Sequence, residues 1–276
     1  TEAAPMEIDA EVPAPRTAPV TLEAGEMVND RYRVEEGPLG EPTGEAEVFR
    51  CTDSHTADIV ALKFYRTSIR PKDSILESLI NVQHPDVVTL RDYGTWAGRF
   101  YEIMDFCEGG NLMDHMPFDE DALKQIVREV VAGLQYLHSQ GIVHRDIKPN
   151  NLFFRHSERR DVVIGDFGVS SFLENPDRVR KTSTGGFFTL DYAAPELIDG
   201  KEVSPKTDYY GLGITLLHLM TGVSPFAGMD TNAVLGCHFR SKVPRPQGIS
   251  KEFAGLINGL LRLRPVNRWG YRQVMS

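Results

Sequence analysis

Two short segments in the middle of the chain carry the residue types that proton transfer and cation binding require. The first is residues 144–151, with the sequence HRDIKPNN, and the second is residues 166–168, with the sequence DFG. Their carboxylate and amide groups could accept a proton and bind a hard cation, which prefers oxygen ligands. This pair of patterns at this spacing would occur by chance in about one of a hundred thousand chains of this length. The pair is therefore a specific signal for one kind of active site.

The sequence around these segments predicts two lobes. From residue 32 to about residue 106, short runs rich in Val, Ile, Phe and Tyr alternate with turn residues, which indicates an antiparallel sheet. One interruption, Asp73 to Val82, has apolar residues at helical spacing. Farther along, Asp119 to His138 has a single apolar stripe, whereas Thr207 to Met220 is apolar on nearly all sides and should be buried. A small sheet lobe followed by a larger helical lobe predicts an α+β fold with a ligand-binding cleft between the lobes.

With these segments and this lobe pattern, residues 31–276 resemble a eukaryotic-type serine/threonine protein kinase domain. The resemblance implies a two-lobed protein kinase-like fold. The N-lobe (31–106) would be a small antiparallel β-sheet with one helix, and the C-lobe (107–276) would be larger and mainly α-helical. The resemblance also implies transfer of the γ-phosphate of ATP to serine and threonine hydroxyls of a protein substrate, with Mg²⁺ as the second cofactor.

The resemblance assigns roles to five residues at the centre of the site. Asp146 would orient the acceptor hydroxyl and take its proton, and Lys148 would contact the transferred phosphate. Asn151 and Asp166 would bind Mg²⁺. Thr189 begins the sequence TLDYAAPE, which resembles the end of a kinase activation segment. It would bond to Asp146 and Lys148 and shape the pocket for serine or threonine acceptors.

The resemblance also places the ATP-binding residues of the N-lobe. Lys63 ends the sequence VALK and would pair with the α- and β-phosphates, with Val48 and Ala61 on the flanking positions. Gly40 and Gly44 fit the glycine-rich loop pattern GxGxxG only with an insertion. We therefore expect the backbone to cover the phosphates less closely there, because a Cβ restricts the approach.

A segment at the predicted lobe junction, with the sequence MDFCEGGNL, resembles the kinase hinge. The resemblance implies that the backbone from Asp105 to Cys107 hydrogen-bonds adenine. Met104 would lie at the back of the pocket, and Asn111 would lie near the ribose.

The helix that follows Lys63 departs from the family pattern. The family register puts Ile75 where a glutamate should pair with that lysine, and Glu77 lies two residues away. Two residues correspond to about 200° of helix, so Glu77 would face away. The partner of Lys63 stays open, with Glu77 as one candidate.

The segment between DFG and APE contains Thr182, Ser183 and Thr184, and we predict that one of them is autophosphorylated. Arg145, next to the catalytic aspartate, is the expected partner of the phosphate. An ordinary polar loop is the alternative interpretation.

The composition bears on the location of the protein and on the partners that it can bind. Seven acidic residues and one arginine lie in residues 1–30, so most of the net charge of −9 belongs to this Pro- and Ala-rich stretch, which we predict to be a flexible linker. The nearly neutral remainder does not predict nucleic-acid binding. No run of eighteen apolar residues predicts a membrane span. Three cysteines without a CxxC pair favour a reducing, cytoplasmic location. We expect flanking domains outside this segment.

The sequence leaves two alternatives to an active protein kinase. A pseudokinase, acting as a nucleotide-binding or scaffolding module, would fit the irregular glycine loop and the missing helix glutamate. A kinase for small molecules is disfavoured because the resemblance implies a Glu196–Arg268 pair and an Asp208 that braces the catalytic loop, which are features of protein kinases.

Overall fold

The structure is a computed structural model that describes residues 22–40, 46–66, 70–71, 73–167, 171–172, 180–181 and 189–276. Gly44, Gly168 and the predicted phosphorylation sites Thr182, Ser183 and Thr184 lie outside these ranges. None of the helices in the described ranges combines the length and the apolar character that crossing a membrane requires.

The first lobe contains a six-stranded antiparallel sheet. Its strands are β1 (Met27–Val28), β2 (Tyr32–Glu36), β3 (Ala46–Asp53), β4 (Ile59–Tyr65), β5 (Leu90–Trp96) and β6 (Arg99–Asp105). They lie side by side in the order β1-β2-β3-β4-β6-β5. The β-branched and aromatic residues of these segments suit a pleated, half-buried surface. Strand β4, which carries Lys63, is therefore flanked by β3 on one side and by β6 on the other.

Alternation of side chains along β4 gives the sheet two different faces. Val60, Leu62 and Phe64 pack into a small apolar cluster on the outer face. Lys63 and Tyr65 point to the opposite face, where Tyr65 joins the main core that continues into the second lobe. The sheet thus turns its one buried lysine toward the junction of the lobes.

The folded unit begins earlier than the predicted boundary at residue 31. Strand β1 pairs with β2, and Leu22 and Val28 are buried in the outer cluster. Asn29 and Asp30 form the turn between the strands with φ of +53° each, a left-handed conformation that Asn and Asp tolerate better than most residues. The prediction of a linker over residues 1–30 is therefore wrong for residues 22–30. The rest of that prediction falls outside the described residues.

Within its described residues, the sheet lobe contains one helix, α1 (Asp73–Leu79), which packs into the main core. Its buried residues are Ile75, Leu76 and Leu79, whereas Glu77 is exposed. The apolar spacing predicts a helix to Val82, but the helix ends three residues earlier and Val82 is buried in the turn that follows.

The second lobe is mainly helical, as predicted. Its helices are α2 (Glu120–Ser139), α3 (Pro195–Ile198), α4 (Pro205–Thr221), α5 (Thr231–Phe239), α6 (Lys251–Leu260) and α7 (Tyr271–Val274). Short strands pair among them: β7 (Ile142–Val143) with β10 (Ser171–Phe172), β8 (Leu152–Phe154) with β9 (Val162–Ile164), and β11 (Arg180–Lys181) with β12 (Glu202–Val203).

The two long helices match the sequence predictions within two residues at each end. Asp119 caps α2 by accepting a hydrogen bond from the Ala122 amide at 2.8 Å, which satisfies one of the amides that a helix start leaves without a partner. Helix α4 starts with a Ser204 cap and ends at Gly222, whose φ of +73° suits a residue without Cβ. Most of α4 is buried, so it forms the floor beneath the catalytic loop.

Candidate active site

The loop that contains Asp146 is held from below by a buried carboxylate on α4. Asp208 accepts hydrogen bonds from the backbone amides of His144 and Arg145, at 3.0 and 2.7 Å. His138 Nε2 also lies 2.7 Å from the Asp208 carboxylate. Burial opposes the charge on Asp208, but these hydrogen bonds hold the pKa of its carboxyl below the ordinary value. The predicted brace is thus present, and it fixes Arg145 in a left-handed conformation with φ of +73°.

Asp146, Lys148 and Thr189 form one contact cluster. Lys148 Nζ lies 2.6 Å from Asp146 Oδ2 and donates a hydrogen bond to Thr189 Oγ1 at 2.8 Å. The Thr189 amide is 3.5 Å from Asp146 Oδ1. Asp146 is buried and Lys148 is half-buried, so water screens this ion pair less than it would at the surface. The structure therefore brings together a carboxylate, a cation and a hydroxyl from two distant parts of the chain.

Strands β8 and β9 bring Asn151 and Asp166 to one place. Strand β8 starts directly after Asn151, β9 ends two residues before Asp166, and Leu152 pairs with Ile164. The Gly165 amide closes the arrangement by donating to the Asn151 carbonyl at 2.9 Å.

The side chain of Asn151 is oriented by Asp146. Its Nδ2 donates to the backbone carbonyl of Asp146 at 2.8 Å and to Oδ2 at 3.0 Å. Because the amide nitrogen is used in this way, Oδ1 is the atom left to face a ligand. Asp166 has a φ of +57° and a side chain that is 40% exposed. The pair presents an amide oxygen and a carboxylate, which are oxygen donors of the kind that Mg²⁺ prefers.

Lys63 contacts Asp166 across the junction of the lobes. The lysine side chain is 8% exposed, and it lies on β4 directly opposite Glu102 of β6. Glu102 is also buried and accepts a hydrogen bond from the Tyr65 hydroxyl at 3.0 Å. Glu77, the candidate partner from α1, is exposed. In the part of the chain that the structure describes, the acidic groups near Lys63 are thus Asp166 and Glu102.

Besides Lys63, four of the predicted nucleotide-binding residues lie on β4 and its two neighbouring strands: Val48, Ala61, Met104 and Asp105. Val48 is the cross-strand neighbour of Lys63, and Met104 is the cross-strand neighbour of Ala61. Ala61 and Lys63 are two residues apart on β4, so they share the inner face of the sheet. Gly40 is exposed with φ of +68°, and no atom lies within 4 Å of the position where a Cβ would be. Its left-handed conformation, rather than close packing, is what favours glycine here.

The segment predicted to be the hinge connects β6 to the second lobe. The Asp105 carboxylate accepts hydrogen bonds from Arg91 Nε at 2.7 Å and from an Arg155 guanidinium nitrogen at 3.3 Å. These contacts connect the segment to both lobes. Burial raises the pKa of the Cys107 thiol to about 12, so this thiol is protonated at neutral pH. Asn111 accepts a hydrogen bond from the Asp114 amide at 3.2 Å and caps a short 3₁₀ turn.

A buried ion pair supports the segment that follows Thr189. Arg268 and Glu196 form two hydrogen bonds of 2.6 and 2.9 Å, as predicted, and Arg268 is 1% exposed. A two-pronged contact of this kind fixes orientation as well as distance.

A family model described as the protein kinase domain matches residues 35–276. The chain belongs to the protein kinase domain family. Its curated relatives include ribosomal protein S6 kinase alpha-6 of Danio rerio, which is 32% identical over 196 residues, or 70% of this chain and 26% of the relative. Ribosomal protein S6 kinase alpha-1 of Homo sapiens is 29% identical over 244 residues, or 85% of this chain and 32% of the relative. The chain therefore spans only a quarter to a third of the length of these relatives.

Family membership confirms the predicted two-lobed protein kinase fold. Sequence reasoning missed the buried charge that lies opposite Lys63, that of Glu102. A signal for it was available, because a glutamate in the otherwise apolar stretch Phe100–Met104 is unusual in a buried strand.

Proposed function

We propose that this kinase domain is catalytically active and transfers the γ-phosphate of ATP to serine or threonine hydroxyls of a protein substrate. The observation that carries the proposal is the contact of Lys148 Nζ with both Asp146 Oδ2 and Thr189 Oγ1, at 2.6 and 2.8 Å. This contact joins the catalytic carboxylate to the segment that follows the predicted activation loop. The site therefore has the base, the cation and the acceptor-side hydroxyl in mutual contact.

In the proposed reaction, Asp146 orients the acceptor hydroxyl and receives its proton. Lys148 and Asn151 both contact Oδ2, whereas the contact that Oδ1 makes within the described ranges is the long one to the Thr189 amide. Oδ1 is thus the oxygen that would accept the proton. Lys148 would at the same time neutralise charge on the transferred phosphate.

Asn151 Oδ1 and the Asp166 carboxylate would hold Mg²⁺, and this donor set fits the ion. Mg²⁺ commonly uses one or two protein oxygen ligands and completes its shell with phosphates and water. When bound, the ion neutralises charge on the phosphate oxygens. Lys63 would contribute its buried positive charge to the α- and β-phosphates.

The activity is tested by incubating the purified chain with Mg-ATP and a mixed panel of serine, threonine and tyrosine peptides. We expect phosphate on serine or threonine and a loss of turnover in Asp146→Asn, which keeps the size of the side chain but removes the base. Equal turnover in the two proteins would contradict the proposal. Nucleotide binding without turnover by the unaltered chain would instead support the pseudokinase.

We further propose that Thr182, Ser183 or Thr184 is autophosphorylated, although these residues lie outside the described ranges. The support is the half-buried Arg145 beside the catalytic aspartate, which offers a guanidinium to a phosphate. Phosphopeptide mapping after incubation with Mg-ATP tests this, and equal phosphate in the unaltered chain and in Asp146→Asn would rule it out.

A cytoplasmic setting is part of the proposal. All three cysteines are free thiols, and Cys51 is buried in the outer cluster of the first lobe. Free thiols persist in reducing compartments.

A further inference from the structure

A buried glutamate faces the nucleotide lysine from the neighbouring strand. Lys63 and Glu102 are direct partners in the antiparallel register of β4 and β6. Residues opposite each other in such a pair point to the same face, with Cβ atoms about 4.5–5.5 Å apart. Both residues are only 7% exposed. Charged side chains are rarely buried to this degree without a partner of opposite charge.

Tyr65 holds the carboxylate of Glu102 in place. Its hydroxyl donates to Glu102 Oε2 at 3.0 Å, and its ring centroid is 5.1 Å from Lys63 Nζ. Tyr65 is itself 1% exposed and packs against Phe100, with ring centroids 5.7 Å apart. Burial raises the pKa of Glu102, and the nearby Lys63 ammonium opposes this rise. The lysine, the glutamate and the tyrosine therefore form one buried group on a rigid sheet.

Helix α1 does not offer Lys63 an equivalent acid. Its inward side carries Ile75, Leu76 and Leu79. Its acids, Asp73 and Glu77, are both exposed, and Asp73 pairs with Arg70. An exposed carboxylate on the far side of a helix cannot neutralise a lysine that the sheet buries.

Asp166 contacts Lys63 in this structure, but its carboxylate is also one of the two groups that would hold Mg²⁺. A carboxylate shared with a divalent cation neutralises Lys63 less, and a buried ammonium without a counter-charge is strongly disfavoured. Among the residues that the structure describes, Glu102 is the acid near Lys63 without a proposed role as a metal ligand.

We propose that Glu102 is the positioning residue that anchors Lys63 toward the nucleotide phosphates, in place of a glutamate on α1. This inference rests on the proposed kinase function and adds to it. Because β4 and β6 are neighbours in one sheet, the anchor does not depend on the position of α1. Movement of α1 would therefore not change the cross-strand placement of Glu102 opposite Lys63.

The kinetic test compares Glu102→Gln with Glu77→Gln, which makes the same chemical change on the exposed side of α1. We expect Glu102→Gln to lower kcat/KM for ATP by about 10- to 100-fold, the size of effect found when a group that orients a metal-binding side chain is removed. The KM for the peptide should stay the same, and Glu77→Gln should behave like the unaltered chain. Retention of activity in Glu102→Gln, or a loss in Glu77→Gln alone, would overturn the proposal.

A second readout reports on Lys63 without requiring catalysis. Trace acetylation at pH 8, followed by mass spectrometry, gives the labelling rate of Lys63 relative to the exposed Lys251. Removing the Glu102 charge should lower the pKa of Lys63 and raise its relative labelling, by about tenfold for each unit of pKa. An unchanged ratio would contradict the anchor.

The two tests separate the two proposals. If the unaltered chain has no ATP turnover, the proposed function fails, while the labelling of Lys63 still tests Glu102. Circular dichroism establishes that each variant is folded at the assay temperature. If Glu102→Gln does not fold, Tyr65→Phe replaces it, because this variant removes only the hydroxyl that holds the carboxylate. It should reduce kcat/KM for ATP in the same direction but less, and an unchanged value would overturn the proposal.

Discussion

The buried Glu196–Arg268 pair offers the sharpest test of how this domain is stabilised. We predict that Arg268→Leu, which keeps much of the apolar volume and removes the charge, destabilises the fold severely. The change leaves the Glu196 carboxylate buried, with the Thr207 hydroxyl, 3.0 Å away, as its remaining side-chain donor among the described residues. It also removes the donors that Arg268 supplies to three backbone carbonyls, those of residues 206, 262 and 263.

The expected magnitude follows from the burial of both partners. Glu196 is 6% exposed and Arg268 is 1% exposed. Removing one partner of a buried pair lowers the free energy of unfolding by about 3–5 kcal/mol. In a domain of this size, each kcal/mol lowers the melting temperature by about 2–4 °C. The melting temperature of Arg268→Leu should therefore fall by about 6–20 °C.

Thermal unfolding followed by circular dichroism measures this effect, with Lys124→Ala as the control. Lys124 makes two surface ion pairs, of 3.6 and 3.5 Å, with Asp121 and Glu252. Surface pairs contribute about 0–1 kcal/mol, so the control should change little. The double variant Glu196→Gln with Arg268→Leu should be more stable than Arg268→Leu alone, because it no longer buries an unpaired charge. A fall in Arg268→Leu no larger than in the control would refute this reasoning.

Three further predictions concern the catalytic loop and the helical core. Thr189→Val should lower kcat because it removes the hydroxyl that Lys148 contacts, whereas Thr189→Ser should retain most of the activity, as measured with serine and threonine peptides. The pKa of Asp208 is lowered by folding, so its carboxylate stabilises the fold above the ordinary carboxyl pKa of 3.8, and this contribution is lost as the pH falls through the folded value. The melting temperature of Asp208→Asn should accordingly be lower near neutral pH and fall less steeply in acid than that of the unaltered chain. Gly259→Ala should destabilise the domain in urea unfolding, since its Cβ would lie 2.1 Å from the Trp269 ring.

The catalytic loop could be predicted from the sequence because its geometry is largely local. Asn151 donates to the carbonyl of Asp146, five residues earlier, and Pro149 opens the 3₁₀ turn between them. Contacts over so few residues need a particular spacing of residue types and little else. The amphipathic helix α2 was predictable for the same reason, since its buried stripe repeats with the helical period.

The N-terminal boundary shows a limit of pattern reading. The acidic, proline-rich composition of residues 1–30 predicts a linker, yet Leu22 and Val28 are buried against the sheet. Two isolated apolar residues have no period to detect. Their burial depends on the short turn at Asn29 and Asp30, which folds β1 back onto β2.

Taken alone, the sequence determined the kind of site, since the residues for proton transfer and cation binding stand at fixed spacing within two loops. Only the tertiary structure decided which acids surround Lys63. Glu102 lies in a different strand, and its place opposite the lysine is a matter of register across the sheet, which turns and packing set together. Burial makes this register important for stability, because a charge removed from water needs a partner nearby.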